Sequence, residues 1–248
     1  MAEALVAFFP GLALGSFLNV VAARVPVRRS IVRPASACMS CGTPLAARDN
    51  IPVVSYLWLR GRCRACGARI PLRYPAVELA TALLFVGCAL RFGLSRDAVV
   101  AAFVCTVLVA VSATDLEHRI VPNRIVVPGA VAVLLAQTAL HPSPEWAIGA
   151  VGASGFLLLA ALAYPAGMGM GDVKLALLMG AALGRVVPVA LMVGMLSALV
   201  PSMVLFARHG AGARKMGIPL APFLALGTIV GLFAGHAILH AYLSSLHH

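Results

Sequence analysis

Acidic side chains are scarce in this chain: eight Asp and Glu among 248 residues, against 19 Lys and Arg. Charged residues of both signs make up only 11%, where soluble domains carry about 25%. That shortage excludes an ordinary water-soluble globule. No basic segment precedes the first apolar run, and no small-residue cleavage site follows it. The run is therefore expected to be a retained first span and not a removed signal peptide. No glycine-rich loop follows a predicted strand, so nothing local marks a nucleotide site.

What the chain has instead is apolar length. It is 61% hydrophobic, with a mean hydropathy of +0.98. Runs of roughly 17–25 apolar residues mark membrane-spanning helices, and they fall near 4–23, 75–91, 98–114, 125–140, 146–165, 173–187, 188–207 and 220–241. The expected fold is an all-α polytopic membrane protein with about eight transmembrane helices and one long polar loop. The sixth run is short. From Asp172 to Gly184 there are 13 residues, a rise of about 20 Å against a hydrocarbon core of about 30 Å. Either that helix continues to Val187, or Asp172 starts below the membrane surface.

A net charge of +11 would suggest nucleic acid as partner for a soluble chain. Here the positive-inside rule accounts for it, and no nucleic acid is expected. Ten Arg fall between Arg24 and Arg73, and Arg119, Arg124, Lys174, Arg208, Arg214 and Lys215 share their side. The other side holds only Arg91, Arg96 and Arg185. This bias predicts a cytoplasmic first loop, with both termini outside and Asp115 and Asp172 both at the cytoplasmic face. The basic loop is expected to contact anionic lipids of the membrane.

Within that loop, Cys38-Met-Ser-Cys41 and Cys63-Arg-Ala-Cys66 form two C-x2-C pairs with 21 residues between them. Four thiolates in two such knuckles match a tetrahedral structural zinc site. Gly42 and Gly67 follow the pairs and allow the tight backbone that turns both sulfurs of a knuckle toward one ion. Disulfides are the alternative, but a cytoplasmic loop faces a reducing compartment. Zinc would add folding energy to a segment too small for a good core of its own. Cys88 and Cys105 lie within spans and read as small packing residues.

Asp115 and Asp172 stand at the ends of apolar runs, where a carboxylate is costly and marks a functional site by default. Asp115 lies in Thr114-Asp115-Leu116-Glu117-His118-Arg119, and could simply end a helix at the interface. Asp172 follows Gly167-Met168-Gly169-Met170-Gly171, and could be an N-cap. Glycines alternating before it, Gly169 and Gly171 above all, exceed what a cap requires and permit close approach of another segment. Two carboxylates can hydrolyse a peptide bond without metal, one activating water and the other protonating the carbonyl oxygen. Sharing one site, they hold a single proton between them. Asp172, near a helix N-terminus, is the better placed to stay ionised.

At these residues the chain resembles the type IV prepilin leader peptidases, the bifunctional GxGD family of peptidases and N-methyltransferases. The likeness runs from Gly11-Leu-Ala-Leu-Gly-Ser16-Phe-Leu-Asn19 and Arg24-Val-Pro26 through Asp49-Asn50-Ile51-Pro52-Val-Val-Ser55-Tyr56 and Arg73-Tyr74-Pro75. It continues over Asp115 with Pro122-Asn123, Gly169-Met170-Gly171-Asp172, and Ile218-Pro219-Leu220-Ala221-Pro222-Phe223. Leu220-Ala221 departs from the Phe-Gly expected there. The resemblance implies an aspartic endopeptidase of the bacterial inner membrane, with Asp115 and Asp172 catalytic. Its substrates would be type IV prepilins and the pseudopilins of type II secretion, cut after a basic leader at the cytoplasmic face. It further implies N-methylation of the new N-terminus from S-adenosylmethionine. The implied organisation is a first transmembrane helix at 1–24, a methyltransferase-associated zinc loop at 25–74, and a peptidase domain at 75–248. Glu78, three residues into the second span, is a candidate for the methyl-transfer site; a side chain snorkelling to the interface is the alternative. Ser16 and Asn19 read as packing between helices, and Lys174 as an anchor to lipid headgroups. The competing function is a proton-coupled secondary transporter with a zinc module, which would place its acids near mid-span and show an internal repeat.

Overall fold

In lipid every backbone amide must find a protein partner, and uninterrupted apolar runs of this length find it within themselves, as helices. The structure, a computed structural model, describes residues 2–165, 168–210 and 217–245. Gly167 of the glycine-rich stretch, and Arg214 and Lys215 of the charge count, lie outside the described residues. The helices are α1 (Ala2–Arg24), a short α2 (Val54–Trp58), α3 (Arg73–Phe92), α4 (Arg96–His118), α5 (Asn123–Leu140), α6 (Glu145–Ala163), α7 (Met170–Leu183), α8 (Val187–His209) and α9 (Ala221–Ser245). The described residues contain no strand beyond two isolated bridges, Ala37–Pro44 and Arg62–Arg69. Seven segments are long and apolar enough to cross a membrane. One of these, Met170–His209, is broken by a 3-10 turn at Gly184–Val186 into the 14-residue α7 and the 23-residue α8, so the eight apolar runs expected correspond to seven segments of spanning length. The chain is a multi-pass, all-helical membrane protein.

Two of the boundaries that differ from expectation bear on Asp115 and Asp172. α4 runs one turn beyond 114, so Asp115 lies inside the helix and its carbonyl accepts from the Arg119 amide at 2.8 Å. α7 begins at Met170 with Gly169 as its N-cap. Asp172 therefore sits in the first turn, its own amide bonded to the Gly169 carbonyl at 3.1 Å, and is not the cap.

The described chain divides into two compact units, residues 1–113 and 114–248. In the first, α1 and α3 pack antiparallel with nearly touching backbones. Gly11 lies against Ala82 and Gly15 against Glu78, where an added Cβ would come within 2.6 Å of the opposing Cα in each case. One turn further, the Asn19 side-chain amide donates to the Tyr74 carbonyl at 3.1 Å. Gly11 and Gly15 are thus the small-x3-small pair that lets two helices approach this closely. Cys88 and Cys105 are buried with their sulfurs 3.9 Å apart.

In the second unit α6 and α7 cross at Gly149 and Gly180, where a Cβ on Gly149 would come 2.8 Å from the Gly180 carbonyl oxygen. The direction of α8 follows from its contacts with α9. Along α9, Leu224 meets Gly194, Gly227 meets Ala190 and Gly235 meets Val186, so the two helices are antiparallel. Against α7 the order is the reverse. α9 begins at Ala221 beside Asp115, and its Gly231 reaches Leu183 at the end of α7. α7 and α8 therefore fold back on each other as a hairpin, and α7 is only 14 residues long. At its turn Arg185 lies 3.5 Å from Glu145, the first residue of α6.

Candidate active site

The end of the second unit opposite Arg185 gathers the starts of α5, α7 and α9 around the last turns of α4. Asp115 is 6% exposed and Asp172 is 9% exposed. Asp172 lies within electrostatic reach of Asp115. The Ala221 backbone N–H donates to Asp115 Oδ2 at 3.1 Å, so Asp115 satisfies one of the orphan amides that open α9. Pro222, next in line, has no amide to satisfy. Both carboxylates consequently face a helix N-terminus. The expected asymmetry, with Asp172 alone so placed, does not hold.

Gly171 and Gly169 play different parts. A Cβ on Gly171 would come 2.6 Å from Val121 Cβ, so only glycine lets the 119–122 connection lie against the first turn of α7. A Cβ on Gly169 would meet nothing nearer than Asp172 Oδ2 at 3.7 Å. Lys174 Nζ donates to Asn123 Oδ1 at 2.9 Å and ties the start of α7 to the start of α5. Its partner is this side chain, where a headgroup anchor was expected. Glu117, two residues beyond Asp115, points elsewhere on the helix. His118 Nε2 is buried with no hydrogen-bond partner among the described residues and lies 3.8 Å from Glu117. Val121 carries no signal in the sequence, while Asn123 and Ala221 lie inside segments of the family resemblance without a role assigned to either.

In the first unit the four cysteines meet. Sγ of Cys38, Cys41, Cys63 and Cys66 all lie within 4.8 Å of one another, and Cys38 and Cys66 are 3.8 Å apart. Tetrahedral zinc with bonds of about 2.3 Å needs sulfurs about 3.8 Å apart, so the donor set fits. The knuckles are built alike. The Gly42 amide donates to Cys38 O and the Gly67 amide to Cys63 O, each at 2.9 Å, and both glycines take the left-handed turn, φ 72° and 70°. The amides of Cys41 and Ser40 lower the Cys38 thiol, the Thr43 hydroxyl and amide lower Cys41, and the amides of Cys66 and Ala65 lower Cys63. The Ala68 amide favours a Cys66 thiolate too, yet the surrounding sulfurs and burial push that thiol up to about 11. These cysteines can hold a metal ion.

Glu78 does not snorkel. It is 8% exposed; its Oε2 accepts from the Val53 N–H at 2.7 Å, and it is hydrogen-bonded to Ser16. Val53 takes φ 60°, ψ −47°, and the Val54 amide donates back to the Pro52 carbonyl at 2.6 Å. That is a strained γ-turn on a β-branched residue, a conformation that persists only where its surroundings enforce it.

The class defined so far is an all-helical membrane protein with a buried pair of carboxylates where three helices begin. The comparisons narrow it. Residues 9–92 match the family described as Bacterial Peptidase A24 N-terminal domain, and residues 102–243 match the Type IV leader peptidase family. The chain belongs to the type IV leader peptidase family and is an enzyme. A prepilin leader peptidase/N-methyltransferase of Bacillus subtilis is 36% identical over 95% of this chain and 96% of that protein. One from Myxococcus xanthus is 41% identical over 84% of this chain and 64% of its own length. One from Pseudomonas putida is 36% identical over 92% and 89%. No solved structure matches. Membership of a peptidase family leaves the transporter reading without support.

Proposed function

We propose that this chain removes the basic leader of type IV prepilins and pseudopilins at the cytoplasmic face of the bacterial inner membrane, and then N-methylates the exposed amine. The observation that carries the peptidase reading is the pair of buried carboxylates, Asp115 and Asp172, brought within electrostatic reach from two helices. The ionised member takes a proton from water as its oxygen attacks the scissile carbonyl carbon. The protonated member gives its proton to the carbonyl oxygen. The C–N bond then breaks as the leaving nitrogen receives the dyad's proton, and a hydroxyl of the gem-diol gives its proton back as the new carboxyl forms, so the dyad again shares one. The Ala221 amide holds Asp115 in place for this, and the Lys174–Asn123 pair holds the turn bearing Asp172. The test is a gel-shift assay on a coexpressed prepilin, with mass spectrometry of the product's N-terminus to read methylation separately.

For methyl transfer, S-adenosylmethionine would supply an electrophilic methyl group. Glu78 is the buried carboxylate of the first unit, and its charge suits the cationic groups of this chemistry. Glu78→Gln is expected to keep cleavage within about twofold. It is expected to lower methylation at least about tenfold, the value of one charge-assisted hydrogen bond. Intact-mass measurement of cleaved product over time checks this.

Cys38, Cys41, Cys63 and Cys66 hold zinc in this reading. Cys38→Ser or Cys63→Ser should reduce zinc content from about one ion per chain to near none. Methylation should fall before cleavage does. Because the ligands must be thiolates, zinc affinity should also drop as pH falls. Metal analysis of the purified protein reads both.

A further inference from the structure

The two cysteine knuckles provide a comparison within one chain. In the second, Cys63 N donates to Ala68 O and Ile70 N to Gly61 O, so Arg62 and Arg69 face each other across the bridge. In the first, Cys38 N donates to Thr43 O and Leu45 N to Ser36 O, so the equivalent pair is Ala37 and Pro44. The knuckle fold therefore does not require arginine at these positions. Both pairs are the non-hydrogen-bonded kind, with Cα atoms about 4.5 Å apart and side chains at their closest. Like charges directly opposed in this way are destabilising. No carboxylate of the loop relieves them. Asp49 is the sole acid between residues 25 and 72, and Arg64 holds both its oxygens, the nearer at 2.6 Å, which keeps the Asp49 carboxyl below its usual range.

Arg62 and Arg69 line a cleft of about 540 Å³ together with Arg60, Tyr56, Gly61 and Leu72. All three arginines are exposed. Leu72 directly precedes α3, so the cleft lies at the mouth of a membrane span. Leu72 is itself 73% exposed, and the short α2 that leads into the cleft exposes Leu57 (68%) and Trp58 (79%). Large apolar side chains beside arginines, next to a span, are the composition of a segment seated at the lipid interface.

We propose that this cleft binds the phosphate headgroup of an anionic phospholipid between Arg62 and Arg69, with Arg60 beside them and Trp58, Leu57 and Leu72 in the interfacial layer. The occupant is lipid and not soluble phosphate because the cleft opens beside a span and carries an apolar rim that an inorganic ion would leave in water.

The chain has two tryptophans, Trp58 and Trp146, so Trp146→Phe in the full-length protein leaves Trp58 as the single reporter. The protein is placed in discs of mixed phosphatidylcholine and phosphatidylglycerol, with one or the other lipid brominated high on its acyl chains. Brominated phosphatidylglycerol is expected to quench Trp58 more strongly than brominated phosphatidylcholine. Arg62→Gln or Arg69→Gln should lower that preference about fivefold each, the equivalent of ~1 kcal/mol per arginine near an anionic surface. Zinc content, unchanged, shows the knuckle still folded. Arg48→Gln, an exposed loop arginine outside the cleft, should leave the preference as it was. Equal quenching by the two lipids in the parent, or an equal loss in Arg48→Gln, would overturn the site. Erasure of the preference by inorganic phosphate would reassign it to a soluble anion and overturn the lipid.

Discussion

Asp115→Asn and Asp172→Asn are each expected to lower cleavage of a prepilin by at least about a thousandfold, the scale of a lost general acid or base in a site with no other. Asparagine keeps the size of the side chain and can still accept from the Ala221 amide at position 115, so the helix ends should stay assembled. What it removes is the proton shared by the pair. Either single change should therefore do nearly all the damage, and the double variant little more, as for groups that act as a unit. Membrane insertion, zinc content and methylation of a pre-cleaved peptide should be unchanged, because the cysteines and Glu78 belong to the other unit. Quantified gel shift against enzyme concentration, in one lipid mixture, is the measurement. A single variant retaining a tenth of the activity would remove that aspartate from the mechanism.

The second large effect separates the two glycines of the motif. Gly171→Ala places a Cβ 2.6 Å from Val121 Cβ, and neither backbone can yield without moving the turn that carries Asp172. Overpacking of this kind costs about 1–3 kcal/mol, and displacement of a reacting group by about 1 Å can cost about a hundredfold in rate. Gly171→Ala is expected to lose that factor. Gly169→Ala, with its nearest neighbour at 3.7 Å and an extended φ of −84°, should stay within a few-fold of the parent. Side-by-side rates of the two variants decide the matter, and a reversed ranking would mean that Val121 is not what the second glycine accommodates.

The aspartates, the four cysteines and the helical character could be read from the chain because each rests on a local signal: an acid in an apolar run, a fixed cysteine spacing, a length of hydrocarbon. The partners of those residues could not. That the Ala221 amide meets Asp115 depends on where α9 starts in space, 106 residues away. Val121 against Gly171 and Asn123 against Lys174 likewise depend on the approach of α5 to α7. Glu78 looked free to reach the interface because its burial comes from a loop turn centred on Val53, a residue whose type argues against the conformation it takes. The ends of α4 and α7 shift by about a turn because local backbone, and not the hydropathy of the segment, stops each helix: Arg119 after α4 and Gly184 after α7 both take φ 54°.

Fourteen residues give α7 a length of about 21 Å, roughly 9 Å less than the hydrocarbon it must sit in. Its far end packs where Gly180 meets Gly149 on α6, and a shortfall taken at the opposite end would fall on the turn that carries Asp172. Longer acyl chains would sink that end deeper and shorter ones would raise it, since a helix and its host adjust to each other at a cost per ångström. In the proposed reaction the bilayer would then act as a ruler, and cleavage rates in discs of graded acyl length would read it.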